Sequence, residues 1–155
     1  MLILGSMPGR ESLRQQRYYA YARNGFWPIM TDLFRLTGER YEENVMQLRQ
    51  NKVAVWDVLK ACFRSGSLDS EIDEKSIVTN DFESFFRDHP GIERVFFNGA
   101  KAESIYRRHV LPGLEGAPSA LALRRLPSSS PAHAAMTIDQ KREAWRVLLE
   151  PRGKS

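Results

Sequence analysis

Short apolar runs recur along the chain, and each one ends at residues typical of a turn. They predict four β-strands, at residues 2–4, 53–57, 93–97 and 121–126. Between them, apolar side chains follow helical spacing, and the predicted helices cover residues 27–36, 42–50 and 100–110. Because strands alternate with helices, the pattern predicts an α/β fold, a three-layer α/β/α sandwich with a short, mostly parallel four-stranded sheet.

Capping signals place two more helices. Asn80 with Glu83 three residues later predicts a helix start, and Thr137 with Gln140 forms a capping box for the last helix. Residues 60–79, rich in serine and acidic side chains, are predicted to be a loop. Residues 10–23 are predicted to be part helix and part loop, and residues 127–133 a loop of prolines and serines.

Composition narrows the class of protein. The chain has 155 residues, 42% hydrophobic and 27% charged, which predicts one globular domain over residues 1–155. No apolar run is long enough for a membrane span, so no membrane partner is expected. The single cysteine, Cys62, excludes an internal disulfide and a multi-cysteine metal cluster, which favours a reducing cytoplasm. A strand at Met1 is unusual, so a segment preceding Met1 is conceivable.

Charge is unevenly placed along the chain. The formal net charge is +4, with +3 in residues 1–25, −3 in residues 26–120 and +4 in residues 121–155. If the two ends meet in the fold, they form one positive face for a polyanion such as DNA. The alternative is that both ends are merely solvated.

Three segments follow predicted strands and are expected to meet at the carboxyl edge of the sheet: residues 5–9, 56–59 and 126–131. The first could offer backbone N–H groups to an anion or be a plain turn. Asn24-Gly25 is either a tight turn or a site where the Asn24 amide oxygen holds a water. Phe26 could offer a flat face to a base or pack in the core. No triad or metal-ligand spacing occurs, so no metal site is expected.

Taken in order, these segments resemble the uracil-DNA glycosylase superfamily, most closely its deoxyinosine (hypoxanthine) DNA glycosylase branch. The matching segments are 2–9, 18–19, 24–27, 53–59, 66–70, 97–99 and 126–132. The resemblance implies an α/β/α fold without a cofactor. It also implies a monofunctional DNA glycosylase that hydrolyses the N-glycosidic bond of deaminated bases in DNA, with hypoxanthine before uracil or xanthine. The partner is then DNA containing such bases, and the protein is expected to be a monomer.

The resemblance also assigns roles to residues. Asn24 is the expected catalytic residue, because Ser6 and Met7 stand where other members carry an activating Asn or Asp. The expected base-binding residues are Gly5, Ser6, Met7, Pro8, Phe26 and Asp57, and the expected DNA-binding residues are Arg124, Arg125, Ser128, Ser129, Ser130 and His133.

Asp57 and the overall activity have alternatives. As a carboxylate, Asp57 could accept the N1–H of hypoxanthine but could not donate to O6, which would need a backbone N–H. Asp57 is equally a candidate helix or turn cap. The alternatives for the whole chain are a non-catalytic nucleic-acid-binding domain of the same fold and a hydrolase of free nucleosides.

Overall fold

The computed structural model describes residues 1–115 and 120–151. Its strands are β1 Leu2–Gly5, β2 Ala54–Asp57, β3 Leu59–Arg64, β4 Ile72–Thr79, β5 Arg94–Asn98 and β6 Ala122–Leu126. Its α-helices are α1 Arg10–Gln15, α2 Phe26–Phe34, α3 Tyr41–Gln50, α4 Phe82–Asp88, α5 Ala100–Ile105 and α6 Ile138–Trp145. None of the described helices is long and apolar enough to cross a membrane.

The main sheet contains four parallel strands in the order β2-β1-β5-β6. In its centre Leu4 lies opposite Trp56 on one side and Phe97 on the other. The structure confirms the predicted fold class, and each predicted strand agrees with the observed one to within one residue. Since all four strands run the same way, their carboxyl ends lie along one edge.

Alternating side chains of the central strands build a core on each face of the sheet. Leu2, Leu4 and Phe97 pack on one face with residues of α4 and α5. Ile3 and Phe96 pack on the other face with residues of α2, α3 and α6. These residues are almost completely buried, which explains the runs of apolar residues in β1 and β5. The two cores define the three layers.

The prediction of a loop over residues 60–79 was wrong. Strands β3 and β4 form an antiparallel hairpin with irregular register. A single residue separates the end of β2 from the start of β3. Much of the hairpin lies at the surface, with Phe63 72% and Val78 51% exposed, so it has no continuous buried apolar face, although Leu59 and Ile72 reach the core. The strand signal depends on such a face, and polar residues therefore concealed the hairpin.

Two helix predictions also need correction. The side chain that caps α4 is Asp81, whose carboxylate accepts the N–H of Ser84 at 3.0 Å, and not Asn80. Asn80 instead donates its amide to the Asp57 carbonyl oxygen at 2.8 Å, which fixes the end of β2. The helix predicted over residues 100–110 is α-helical only to Ile105 and continues as a π-helical turn, Tyr106–Val110.

Candidate functional site

A cavity of about 1080 Å³ opens at the carboxyl edge of the sheet. Its lining comes from six stretches of the chain: residues 5–12, 18–24, 57, 67–70, 98–101 and 128–133, with gaps only within 18–24. The expected convergence of the segments after β1, β2 and β6 is therefore confirmed. The cavity brings together Asn24, Asp57 and the serine-proline loop, residues 127–133, which are far apart in sequence.

One hydrogen-bond chain fixes the side chain of Asn24. The amide of Asn98 donates to the Ser129 hydroxyl oxygen at 2.8 Å, and the Ser129 hydroxyl donates to Asn24 Oδ1 at 2.8 Å. The Ser129 backbone N–H also donates to Asn98 Oδ1 at 2.8 Å. Asn98 and Ser129 are buried, so their geometry is protected from water.

This chain determines which end of the Asn24 amide faces the cavity. Oδ1 accepts a second hydrogen bond, from the Phe26 backbone N–H at 2.9 Å, so both of its lone pairs are occupied. A backbone N–H can only donate, which identifies the atom opposite it as oxygen. The Asn24 NH₂ group has no acceptor among the described residues. In this conformation Asn24 offers the cavity a hydrogen-bond donor, in contrast to the expected water held by the amide oxygen.

Two buried side chains of α6 anchor the serine-proline loop through hydrogen bonds. Lys141, 4% exposed, donates to the Ser130 carbonyl oxygen at 2.8 Å, and Trp145 donates its indole N–H to Pro127 at 2.9 Å. Ser129 is 2% exposed and its hydroxyl is used internally, so burial keeps it from contacting a phosphate. Ser128 and Ser130 are partly exposed, and each hydroxyl accepts one backbone N–H, which leaves its own proton free to donate.

The β3–β4 hairpin holds the first loop, residues 5–9. The Ser6 hydroxyl donates to the Asp69 carboxylate, and Arg64 donates to the Pro8 carbonyl oxygen at 2.6 Å. Arg10 binds the hairpin through its backbone N–H to Ser67 and its guanidinium to the Ser65 carbonyl. The backbone N–H groups of Met7 and Gly9 have no acceptor among the residues that the structure describes. They remain available to an anionic ligand.

Buried polar groups without partners lie beside Gly5. A Cβ atom on Gly5 would stand 2.6 Å from Asp57 Oδ1 and 3.0 Å from the Tyr19 hydroxyl, so only glycine fits there. The Asp57 side chain lines the cavity, is 7% exposed and accepts no hydrogen bond from the described chain. Burial, followed by repulsion from Asp69, raises the pKa of Asp57 to about 7, against an opposing effect of Arg64.

The Tyr19 hydroxyl is the second of these groups. It is buried near Asp57 and makes no well-formed hydrogen bond within the described ranges, although the adjacent Asn98 side chain acts to lower its pKa. Burial and then the Asp57 charge raise the pKa of Tyr19, so the phenol stays protonated and acts as a donor. Tyr19 also has a left-handed backbone, with φ of 53°, which any residue other than glycine adopts at a cost.

Phe26 lies elsewhere than expected. Its side chain is fully buried in the core and does not line the cavity. The Tyr19 ring stacks on it, with ring centroids 4.1 Å apart, and Trp145 meets its edge. Helical spacing put Phe26 on the inner face of α2, as the core-packing alternative requires. The aromatic residues that line the cavity are Tyr18, Tyr19 and Tyr21.

The arginines expected at DNA lie on the edge strand β6, outside the cavity lining. Arg124 pairs with Glu150 at 3.6 Å and Arg125 with Glu103 at 3.4 Å. Arg142 in α6 and Arg146 directly after it also pair with acids, and Arg152 and Lys154 lie outside the described residues. The cationic side chains that line the cavity are instead Arg10, Arg23 and Lys101.

Four contributors to the site were assigned no role from the sequence: Tyr19, Asp69 and Asn98, which lie in segments that carry the resemblance, and Lys141. Asn98 ends a predicted strand at the carboxyl edge, so its position was available as a signal. Asp69 lay in the segment misassigned as a loop. Lys141 carries a charge, and charge normally indicates exposure, so nothing in the sequence pointed to its burial.

Comparison with known proteins places this geometry in a class. Residues 1–149 match the uracil DNA glycosylase superfamily. A hypoxanthine DNA glycosylase of Methanosarcina acetivorans is 37% identical over 127 residues, which cover 76% of this chain and 79% of the relative. A hypoxanthine DNA glycosylase of Methanosarcina barkeri is 36% identical over 104 residues, which cover 66% of this chain and 65% of the relative.

A solved structure supports the same assignment. An NMR structure of a Methanosarcina acetivorans protein, provisionally assigned as a uracil DNA glycosylase, superposes with a TM-score of 0.72. The two are 34% identical, and the match covers 96% of this chain and 90% of the other. The chain therefore belongs to the uracil DNA glycosylase superfamily. It is a DNA glycosylase, a hydrolase that cleaves the bond between a base and its deoxyribose, as the resemblance in sequence had predicted.

Proposed function

We propose that this protein is a monofunctional glycosylase that releases hypoxanthine from DNA, with uracil and xanthine as secondary substrates. The observation that carries the proposal is the fixed Asn24 amide in a cavity that also holds the buried Asp57 carboxyl group. The names of the two Methanosarcina relatives support hypoxanthine as the first substrate. We further propose that residues 1–155 act as one domain, as a monomer, in the cytoplasm.

The target base must leave the duplex to reach the cavity. At its mouth the free hydroxyl protons of Ser128 and Ser130 can donate to phosphate oxygens, while Arg10 and Arg23 add positive charge. Phosphate contacts of this kind hold the strand in register and carry no information about the base. Recognition of the base therefore falls to groups deeper in the cavity.

Asp57 supplies such recognition. Hypoxanthine presents an N1–H donor beside an O6 acceptor, and a neutral carboxyl group presents the matching acceptor and donor. Because burial raises the pKa of Asp57 to about 7, its neutral form is populated at neutral pH. A neutral Asp57 thus provides the donor to O6 that a carboxylate lacks, without requiring a backbone N–H. Uracil has a similar N–H and C=O pair, which is why it is a secondary substrate.

Asn24 contributes to the bond cleavage itself. As the N-glycosidic bond breaks, negative charge develops on the departing base and positive charge on the sugar. The NH₂ group of Asn24 and the free N–H groups of Met7 and Gly9 are donors that can stabilise that negative charge. Donors fixed in advance need no reorganisation during the reaction, which makes them effective.

The test is single-turnover release of base from duplexes that contain hypoxanthine, uracil or xanthine at one position. The wild-type protein should leave an abasic site at hypoxanthine fastest, and Asn24→Ala should slow the reaction by about 100-fold or more. Asn51→Ala, an exposed amide at the end of α3, serves as the matched control and should react normally.

Other outcomes identify the alternatives. Salt-sensitive binding of duplex without release of any base would contradict the proposal and favour a non-catalytic binding domain. Release of hypoxanthine from free deoxyinosine, with none from DNA, would indicate a nucleoside hydrolase. A normal rate for Asn24→Ala would remove Asn24 from the catalytic site.

A further inference from the structure

The structure leaves the attacking water without the acceptor that the sequence suggested. A water that attacks the sugar must donate a proton to some acceptor as its oxygen bonds to carbon. Both lone pairs of Asn24 Oδ1 are taken by the Phe26 N–H and the Ser129 hydroxyl. Asn24 can therefore donate to the substrate, but it cannot accept this proton. Another group that lines the cavity must do so.

Three acidic residues of the described chain line the cavity: Glu11, Asp57 and Asp69. Glu11 is held by Arg14 and Gln15, and these contacts lower its pKa to about 2, which makes it a weak acceptor. Asp57 is buried, and burial favours its neutral form, which has already taken up a proton. Asp69, which is partly exposed, is the remaining acidic residue of the three.

The surroundings of Asp69 fix its position and leave part of it free. One carboxylate oxygen accepts the Ser6 hydroxyl, which ties Asp69 to the first loop. Its second oxygen, Oδ2, has no hydrogen-bond partner within the described ranges. Asp69 begins a short 3₁₀ turn, and Glu71 in that turn accepts the Leu68 N–H at 3.1 Å. Together with the contacts of Arg64 and Arg10, this makes the hairpin end a rigid support.

We propose that Asp69 is a further catalytic residue, the acceptor that orients and deprotonates the attacking water, and that Ser6 positions it. The inference rests on the proposed function and names the base of that reaction. The water oxygen bonds to C1′ of the sugar, the bond from C1′ to the base breaks, and its electron pair leaves with the base. The water proton passes to Asp69 Oδ2 and then to the released base. The products are a neutral base and an abasic sugar.

A second effect follows from the same placement. The sugar gains positive charge before the water bonds to it, and a carboxylate beside it stabilises that charge. Asp69 should therefore bind a cationic mimic of the sugar more tightly than a neutral one. This effect does not depend on which base the enzyme prefers.

The kinetic test compares Asp69→Asn with Ser6→Ala. Asparagine keeps the size of Asp69 and can still accept the Ser6 hydroxyl, so the brace to the first loop survives. Asp69→Asn should slow single-turnover release of hypoxanthine by about 100-fold or more, and Ser6→Ala by about tenfold. If Asp69 had only a structural role, Ser6→Ala would slow release of hypoxanthine at least as much as Asp69→Asn. Thermal melting of each variant checks that it folds.

The binding test uses duplexes with a pyrrolidine abasic analogue, which is cationic at the position of C1′, or a neutral tetrahydrofuran analogue. Wild-type protein should prefer the cation by about tenfold or more, Asp69→Asn should lose the preference, and Glu11→Gln, a matched loss of one cavity carboxylate, should keep it. If wild type releases no base, the proposed function fails, yet this preference still decides the role of Asp69. A preference unchanged in Asp69→Asn would overturn the inference.

Discussion

Two sides of the cavity satisfy their polar groups in opposite ways. The amide cluster, which comprises Asn24, Asn98 and Ser129, is linked by hydrogen bonds of 2.8 Å. The acid cluster, which comprises Tyr19, Asp57 and Asp69, contains a buried hydroxyl and a buried carboxyl group without hydrogen bonds among the described residues. A satisfied network is rigid, whereas unsatisfied buried groups reduce stability until a ligand supplies partners.

The contrast indicates a division of labour. The amide cluster determines the orientation of one catalytic amide before substrate arrives. The acid cluster keeps acceptors and donors open for groups that substrate and water bring. Stability is lost in the acid cluster because its function requires unpaired atoms, which is a common compromise at active sites.

The largest expected effect comes from Asn24→Asp, which removes from the amide cluster the NH₂ group that faces the cavity. Aspartate keeps an oxygen for the Phe26 N–H and the Ser129 hydroxyl, but it loses the NH₂ group that faces the cavity. Loss of one donor aimed at developing charge costs about 10²–10³-fold in rate. We expect a slowing of that size in single-turnover base release, with thermal stability close to that of wild type.

The same variant separates the two possible roles of Asn24. If its oxygen held the attacking water, aspartate would serve as well or better, and the rate would be maintained or would rise. Asn51→Asp, at an exposed position, controls for the added negative charge.

The next effect concerns Asp57 and the acid cluster. Burial raises the pKa of Asp57 from 3.8 to about 7, so below pH 4 the Asp57 carboxyl group is neutral in both the folded and unfolded states. As the pH rises from 4 to 7, only the unfolded state releases the proton, and the free energy of unfolding falls. Above pH 7 both states are ionised and the loss stays constant. From the size of the shift, this loss is on the order of 4 kcal/mol.

Asp57→Asn removes this titration. The variant should therefore melt at a higher temperature than wild type at pH 8, and the difference should shrink towards pH 4. Asparagine also mimics the neutral carboxyl group, so its release of hypoxanthine should change little between pH 6 and pH 8, whereas the wild-type rate should fall. Asp88→Asn, with a 68% exposed side chain, should show neither effect. A variant no more stable than wild type at pH 8 would contradict the raised pKa.

The sequence predicted those elements whose buried side chains produce a regular pattern of apolar residues. Successive side chains of β1 and β5 point alternately into the two cores, so both strands are apolar throughout. These apolar runs predicted the positions of the strands and a sheet covered on both faces. The strand-end rule then placed Gly5, Asp57 and the serine-proline loop at one cavity. The β3–β4 hairpin left no such trace because its faces are largely exposed.

Contacts within the site were harder to predict for a different reason. The Ser129 hydroxyl bonds to Asn24 across 105 positions of sequence, and a serine can donate to phosphate or to protein with the same atoms. Phe26 and Tyr19 are both aromatic, and only packing decides which ring reaches the cavity. The residue types showed which interactions each side chain can make. Contacts between distant parts of the chain determined which of these interactions forms.

The smallest expected effects come from removing one hydroxyl from each cluster. Ser129→Ala leaves the buried Asn98 NH₂ group without its acceptor and removes one of the two donors to Asn24 Oδ1, so it should lower the free energy of unfolding by about 2 kcal/mol. Tyr19→Phe removes a buried hydroxyl that has no partner among the described residues, so it should raise that free energy by up to about 1 kcal/mol. Denaturant unfolding at pH 7 compares the two variants directly. Equal losses in both would show that Tyr19 makes a stabilising hydrogen bond in solution, and the contrast between the two clusters would then fail.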